Sequence, residues 1–515
     1  MNETTSCAKR YHKLAADREI YLDRARECAE LTLPALITPE GFSSASELYQ
    51  PFQSIGARGV NNLASKLMLL LLPPNSPFFR LAMDTKTKQE LDGEGELRAE
   101  IEQGLAGIER EVMGEIEGRA LRVNVFEALK HLIVSGNVLV HLPKKGGLRV
   151  FPMSSFVVKR DPSGELLEVI LEETVSPRAL PEDIDGVDYT GDEDLKLYTK
   201  IYRENSDYYR VYQEVEGNAV PGSEGRYKKD LMPWLALRMV HLDGEDYGRS
   251  FVEEYLGDLK SLEGLMEALV SSAAASAKLV FMVRPNASVR RTDLAQSQNG
   301  DVILGDPNDV KVLQTEKYPD MRVVLETVQR IEDRLSYAFL LNTAIQRNAE
   351  RVTAEEIRFM AQELESALGG VYSILSQEMQ LPVVNILMNR MSASKKIPKL
   401  PKGTVTPVIV TGVEALGRGN DLNKLRTYIQ DLVQLAQAAP ETLQRVNFGD
   451  LVARLATGHG IDTIGLIKTE QELQAEMQAQ QEAQQQQMMQ EALKDSAPGA
   501  IREVVKANSQ QQQVQ

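Results

Sequence analysis

TAEEIRFMAQELESALGGVYSILSQEMQLPVVNILMNRMSAS, residues Thr353 to Ser394, decides the fold class. Its apolar positions Ile357, Met360, Leu364, Leu368, Val371, Leu375 and Met379 recur every three or four residues, which places them on one face of an α-helix. Thr353 and Glu356 stand in a capping-box arrangement that sets where the helix starts. At 1.5 Å of rise per residue the stretch would span roughly 60 Å. A seam that long exceeds what one small domain needs and suggests packing against other subunits. Local breakers at Gly369, Gly370 and Pro382 predict bends, because glycine loosens the helix and proline removes a backbone donor.

Just upstream lies a basic turn with Gln346, Arg347, Asn348 and Arg351. Two readings stand side by side. Arg347 and Arg351 pair with acids such as Glu350 or Glu355, or the turn points into a ring and its guanidiniums form a belt able to touch DNA phosphates.

Further upstream, helical spacing over Phe251 to about Lys278 carries Leu256, Leu259, Leu262, Leu265 and Leu269, with Glu253, Glu254, Asp258, Glu263 and Glu267 outnumbering Lys260. Any face of it left unpacked would be negative. A second helix, from about Val323 to Leu341, aligns Val324, Val328, Ile331, Leu335 and Phe339. Between the two, short strand candidates fall at Leu279–Val283, 302–304 and 310–313. Helix, strand insert, helix, basic turn and long helix is an uncommon order for an enzyme.

From Leu148 to Leu242 the period shortens towards two. Segments at Phe156–Lys159, Leu166–Glu172, Leu195–Tyr202, Tyr208–Val215 and Trp234–Leu242 predict an antiparallel sheet. The insert from Glu182 to Asp194 holds seven carboxylates and no Lys or Arg, which suits an exposed loop better than a metal site. Helices are expected from Tyr11 onward, over Ser54 to Leu72 and in a block from Glu96 to Val140. In Glu90 to Glu117 ten acids face Arg98 and Arg110, the pattern of a solvated helix face. The whole reads as α+β, mainly helical.

Composition narrows the function classes. The chain has 515 residues, 43% of them apolar, and a formal charge of −16. That is enough apolar material for a large core, and the charge argues against a surface that coats nucleic acid generally. Cys7 and Cys28 are the only cysteines, which argues against a disulfide framework, offers no cysteine zinc site and favours folding in a reducing, intracellular compartment. The leucine run from Leu67 to Leu72 stops at Pro73, far short of the ~20 residues that cross a bilayer. Catalytic motifs are missing: no phosphate-binding loop occurs, and Gly417-Arg418-Gly419 lacks the third glycine of a dinucleotide fingerprint. His12, His131, His141, His241 and His459 show no paired ligand spacing, and Asp243-Gly244-Glu245-Asp246 reads as a turn. No cofactor, metal or catalytic residue is therefore expected. The end of the chain, Gln471 to Gln515, contains fifteen glutamines and reads as an extended helix leading to a disordered tip.

Four long collinear stretches carry a family likeness. YQPFQSIGARGVNNLASKLMLLLLP (Tyr49 to Pro73), FEALKHLIVSGNVLV (Phe126 to Val140), DGEDYGRSFVEEYLGDLKSLEGL (Asp243 to Leu265) and RLSYAFLLNTAIQRNAERVTAEEIRFMAQELESALGGVYSILSQE (Arg334 to Glu378) resemble the head-to-tail connector, or portal, protein of short-tailed bacteriophages. TGVEALGRG (Thr411 to Gly419) extends the likeness.

The resemblance implies a ring, typically of twelve subunits, at the unique capsid vertex, with a channel through which double-stranded DNA is packaged and ejected. It implies a wing over 1–250, stem helices over 251–278 and 323–342, and a clip over 279–322. It further implies a channel loop over 343–352, a long kinked wing helix over 353–394, a crown over 395–470 and a tail over 471–515. Arg347 then matches the position that narrows the bore, with Gln346 and Arg351 beside it. Glu253, Glu254, Asp258 and Glu263 become candidate channel-lining acids that keep the duplex from binding tightly. Implied partners are further copies of the chain, the terminase large subunit, the major capsid and scaffolding proteins, and tail adaptor and internal core proteins, with no membrane. The implied location is the virion's portal vertex, after assembly in the host cytoplasm. A helical scaffold or coiled-coil assembly protein is the alternative. It explains the long helices but not the strand-rich middle, and a closed ring in solution would separate the two.

Overall fold

The computed structural model describes residues 6–341, apart from 44, 75–76, 85, 88–94, scattered positions within 182–192, 277–280 and 313–317. It also describes 364, 368–400, 405–409, 417–438 and isolated positions between 446 and 455. Two compact units divide the chain, residues 1–416 and 417–515.

In the first unit, helix α1 (Cys7–Glu30) buries Cys7, Tyr11, Leu14, Arg18, Leu22, Ala25 and Cys28, one stripe at helical spacing. Arg18 is a buried cation with no acid partner among the described residues. Its Nη1 instead donates to the carbonyls of Met153, Ser154 and Phe156 and to the Tyr11 hydroxyl, at 2.8 to 3.2 Å, which offsets its desolvation. Helix α2 (Ile55–Leu71) is the most apolar of the early helices, and strand β1 (Phe79–Met83) follows it. Helix α3 (Gly95–Gly118) is the acidic one. Its Glu109 departs from the expected solvated face, being buried and accepting from the Leu81 N–H at 2.9 Å. The helical block expected to reach Val140 ends earlier: helix α4 (Leu121–Ser135) stops at Gly136, whose left-handed φ of 73° closes the turn. A Cβ there would sit 2.5 Å from the Arg249 carbonyl carbon. Strand β2 (Asn137–His141) then begins.

Between residues 137 and 238 the strands form two sheets where the sequence predicted one. Strand β3 (Arg149–Phe151) pairs β2, which pairs β10 (Trp234–Arg238), all antiparallel. The larger sheet runs β4 (Phe156–Arg160), β5 (Leu166–Val175), β6 (Leu195–Arg203), β7 (Tyr208–Val215) and β8 (Asn218–Ala219), with β9 (Gly225–Lys228) also on β7. Trp234 goes to the smaller sheet because β2, buried at four of its five positions, needs a partner on each edge. The first turns of α1 cover one face of the larger sheet, where Cys7, Tyr11 and Leu14 meet Val157, Ile170 and Tyr198.

From Ser250 the chain leaves the body as a limb. Helix α5 (Phe251–Glu254) is capped by the Ser250 hydroxyl, which accepts from the Glu253 N–H at 2.8 Å. Helix α6 (Leu256–Ser276) continues after a break at Tyr255. Strand β11 (Phe281–Val283), helix α7 (Arg291–Gln296) and strand β12 (Val310–Val312) make the insert, and helix α8 (Tyr318–Ala338) returns. Residues 302–304, expected as a strand, lie outside the ribbon, which β11 and β12 form by themselves.

The opening stretch, Thr353 to Ser394, is not one helix in its described part. Leu364 and Leu368 are helical, the helix breaks at Gly369 (φ 57°), and Gly370 precedes helix α9 (Val371–Leu375). A π-helical turn, Ser376–Gln380, leads into helix α10 (Leu381–Ala393). Pro382 has no N–H to give the Glu378 carbonyl, and the wider turn falls directly before it. Strand β13 (Val405–Ile409) pairs β1 antiparallel, Leu81 opposite Pro407. In the second unit, helix α11 spans Gly417–Ala438.

Candidate functional site: the limb and its anchors

Two of the attachments that hold the limb to the body lie one under each long helix. Beneath α6, Glu263 is buried, and its carboxylate accepts from the Tyr49 hydroxyl at 2.6 Å, the Phe52 N–H at 2.8 Å and the Gln53 N–H at 3.3 Å. This acid is fully occupied in ordering the loop before α2 and has no face left for a bore; its place among the candidate channel-lining acids is corrected accordingly. The Tyr49 phenol, donating to Glu263, is pushed up to about 12.

Beneath α8, the helix end is gripped by α2. The Asn62 amide donates to the carbonyls of Phe339 at 3.0 Å and Leu340 at 2.9 Å, and the Lys66 ammonium, nearly buried, donates to Leu340 at 2.9 Å. These carbonyls at a helix C-terminus have no partner within the helix, and a cation is favoured there. Phe339 is fully buried against Gly59, where a Cβ would lie 2.5 Å from the ring. Leu340 adopts a left-handed φ of 55°, so α8 ends abruptly there.

The other candidate acids have different surroundings. Glu253 pairs with Arg24 at 2.6 Å and Arg249 at 3.2 Å. Asp258 pairs with Arg334 across the α6–α8 interface at 2.7 Å. Glu254 is exposed with no ion pair among the described residues. Gln346, Arg347 and Arg351 lie outside the described residues, so the basic turn carries no geometry here.

Away from the anchors the limb faces solvent. Beyond Met266 no described residue of α6 is buried. Val323, Leu325 and Tyr337 of α8 are exposed, as are Phe281 and Met282 of β11; Val302 and Leu304 are 96% and 94% exposed. Single exposed apolar residues need no explanation, but so many on one element make a surface suited to contact with another chain. Among the described residues there is no cluster of His, Cys, Asp or Glu fit to hold a metal, and no helix long and apolar enough to cross a membrane.

Residues 4–467 match the family model described as "Bacteriophage head to tail connecting protein". The chain belongs to the bacteriophage head to tail connecting protein family. Among relatives of this connecting protein, it is 44% identical over 476 residues to the portal protein of Escherichia phage T7, covering 90% of this chain and 88% of that one. It is 34% identical over 507 residues to the portal protein of Enterobacteria phage SP6, covering 97% and 96%. Among solved structures, "Neck of empty GTA particle computed with C6 symmetry" contains a chain of 12% identity and TM-score 0.36, covering 73% of this chain and 86% of that one.

The anchors are where sequence reasoning fell short for this family member. Glu263 was grouped with its neighbours by charge, although a glutamate one turn after Leu259 and directly after Leu262 shares their buried face only once α6 is docked. Gly59 did carry a signal: a glycine inside an otherwise apolar helix costs ~1 kcal/mol and marks a close approach. Asn62 and Lys66, one turn apart in the same helix, carried another.

Proposed function

We propose that this chain is a portal protein, forming a homo-oligomeric ring at the head-to-tail connection of a virion, through which double-stranded DNA is packaged and later ejected. The observation that carries the reading is collinear family membership over residues 4–467, with relatives named portal proteins matched along about nine-tenths of their length. The limb supports it independently. Two long helices bridged by a ribbon, buried chiefly towards the base and exposing apolar residues further out, are suited to packing against copies of themselves around an axis. A coiled-coil scaffold would have no use for the β4–β9 sheet.

In finer terms, the ring has twelve copies and stands at the capsid's portal vertex after assembly in the host cytoplasm. Residues 251–278 and 323–342 form its stem, 279–322 its clip, 1–250 together with 353–394 its wing, and 395–470 its crown. The loop over 343–352 reaches the bore, where Arg347, flanked by Gln346 and Arg351, supplies a salt-sensitive belt against phosphates. Glu254 is the acid best placed to face that channel, while Glu253 and Asp258 contribute charge already partly matched by arginine. The chain has no catalytic step of its own. A separate terminase large subunit drives packaging from the clip, tail adaptors replace it, and capsid, scaffolding and internal core proteins meet the wing and crown.

Negative-stain electron microscopy of the purified protein tests the reading. Closed rings with a hole wide enough for a ~20 Å duplex are expected; monomers or filaments across salt and protein concentrations would overturn it. Particles carrying Arg347→Ala that retain DNA like the parent would remove the belt from it.

A further inference from the structure

Many cations on the body are matched: Lys159 with Asp246, Lys196 with Glu172, Lys200 with Glu168, and both Arg210 and Arg226 with Glu204. Around the β2–β3 turn, residues 142–147, the pattern reverses. Arg390 at the end of α10 donates to the carbonyls of Pro143 at 2.7 Å and Leu142 at 2.8 Å. Arg119 donates to the carbonyls of Pro143, Lys144 and Gly146 at 3.3 to 3.4 Å. Both guanidiniums are thus used to hold a backbone turn.

Glu115 bridges Arg119 at 2.8 Å and Lys396 at 2.7 Å, and these cations, Lys396 foremost, hold its carboxyl below the usual range. Lys144 and Lys145 on the turn, and Lys395 and Lys399 after α10, are exposed and have no ion pair among the described residues. Nine cations therefore stand along residues 119–124, 142–149 and 390–400 against three paired acids, since Arg122 pairs with Glu117 and Arg149 with Glu173, in a chain whose net charge is −16. Desolvation first, and then repulsion from Arg119, lowers the Arg390 pKa. Lys395 also holds a left-handed φ of 59° where glycine is the easier residue, so its ammonium is kept at that helix end against a backbone cost.

We propose that this cluster, with Lys144, Lys145, Lys395 and Lys399 as its free ammonium groups, is a second DNA contact, taking the phosphodiester backbone of duplex DNA outside the channel. It rests on the reading that duplex DNA passes this protein. Lysine ammoniums on a fixed platform suit a sequence-independent polyanion, since phosphates need point charges and no particular base. A protein partner needs apolar anchors as well. Along residues 119–124, 142–149 and 390–400 the one exposed large apolar side chain is Val123. At 0.1 M salt the screening length is about 10 Å, so the local excess of positive charge outweighs the distant acids of the chain.

The experiment uses the purified full-length assembly and a covalently closed duplex circle, which cannot thread a preformed ring and so reads only the outer surface. Parent protein, a variant with Lys144→Glu, Lys145→Glu, Lys395→Glu and Lys399→Glu, the corresponding four Lys→Gln changes, and Arg347→Ala are compared across a salt series. Electron microscopy checks that each assembles as the parent does. The expected result is binding of the circle by the parent and Arg347→Ala. Both quadruple variants should bind about ten-fold more weakly or worse, with a slope of log K against log salt smaller by about 3. Equal affinity and slope, or no binding by the parent at low salt, overturns the proposal. So does normal circle binding by quadruple variants that fail to enter heads, which would assign the cluster to an acidic protein. If no rings form, the portal reading fails, while the same comparison on the oligomer that does form still decides this one.

Discussion

In the body, the β4–β9 sheet buries Val157, Ile170 and Ile201 and matches its surface charges strand to strand, whereas the limb buries little beyond its base and turns Val323, Leu325, Tyr337, Val302 and Leu304 outward. The body thus has what an independent domain needs, a contiguous core. The limb has a half-core, and its stability is borrowed at one end from α2 and, in the portal reading, along its length from further copies. The difference separates two kinds of residue on the same helices: those that fasten the limb to its own chain and those that wait for another.

Breaking the fastening should have the largest effect. Phe339→Ala removes a fully buried ring packed against Gly59, Phe251 and Tyr255 and is expected to cost about 3–5 kcal/mol. Denaturant unfolding reads it, and a loss under ~1 kcal/mol would mean that the limb is not anchored there. Gly59→Val should act in the same direction, because its side chain would enter the space of that ring.

The body's weakness is acid. His131, in α4, is pushed down to about 4, chiefly by burial and secondarily by Lys130, and its Nδ1 has no hydrogen-bond partner. An unfolded histidine takes its proton near pH ~6.5. Above that pH both states are neutral and nothing is lost; as pH falls from there towards 4 only the unfolded chain gains the proton, so stability declines by about 1.4 kcal/mol per unit. The total is on the order of 3 kcal/mol by the bottom of that window. Unfolding midpoints for the parent and His131→Gln over the same window should converge, and parallel curves would show that the loss comes from elsewhere.

Glu263 sharpens the comparison at the base of the limb. Glu263→Ala leaves a buried N–H, a half-buried N–H and a phenol without their acceptor, for a loss of about 2–3 kcal/mol; Glu263→Gln, keeping one acceptor, should lose about half as much. If Glu263 were instead a bore acid, both changes would leave stability alone and alter DNA passage.

The body was legible in the sequence because strands such as Tyr208–Val215 sit between clear turns and bury residues such as Tyr209 and Val211 in their own chain. The order of limb helices was legible from the three-to-four-residue spacing of Leu259 and Leu262 in α6 and of Val328, Ile331 and Leu335 in α8. What was not legible depended on tertiary partners: Trp234 joining β2 and not the larger sheet, and Glu263 turning inward. Of the apolar face expected over Thr353 to Ser394, Leu364, Leu368, Val371, Leu375 and Met379 are buried, while Ile357 and Met360 lie outside the described residues. That pattern did not foresee the π turn, because side-chain periodicity reports a face and not the winding of each hydrogen bond. For the site itself, likeness to a family indicated the basic turn around Arg347, and the pattern of the residues supplied only its charge.

The smallest effect on stability should come from the limb's outward residues, and it is the most discriminating. Val302→Ser with Leu304→Ser changes side chains 96% and 94% exposed, so unfolding of the dispersed chain should move by no more than about 0.5 kcal/mol. Their apolar area is lost only where another chain would have covered it. Native mass spectrometry or sedimentation should therefore show a smaller fraction of closed rings at a given protein concentration, with the same unfolding midpoint. An unchanged ring fraction would mean that these two residues face a partner other than a further copy, and the outward face of α8 around Val323, Leu325 and Tyr337 would then have to carry the assembly alone.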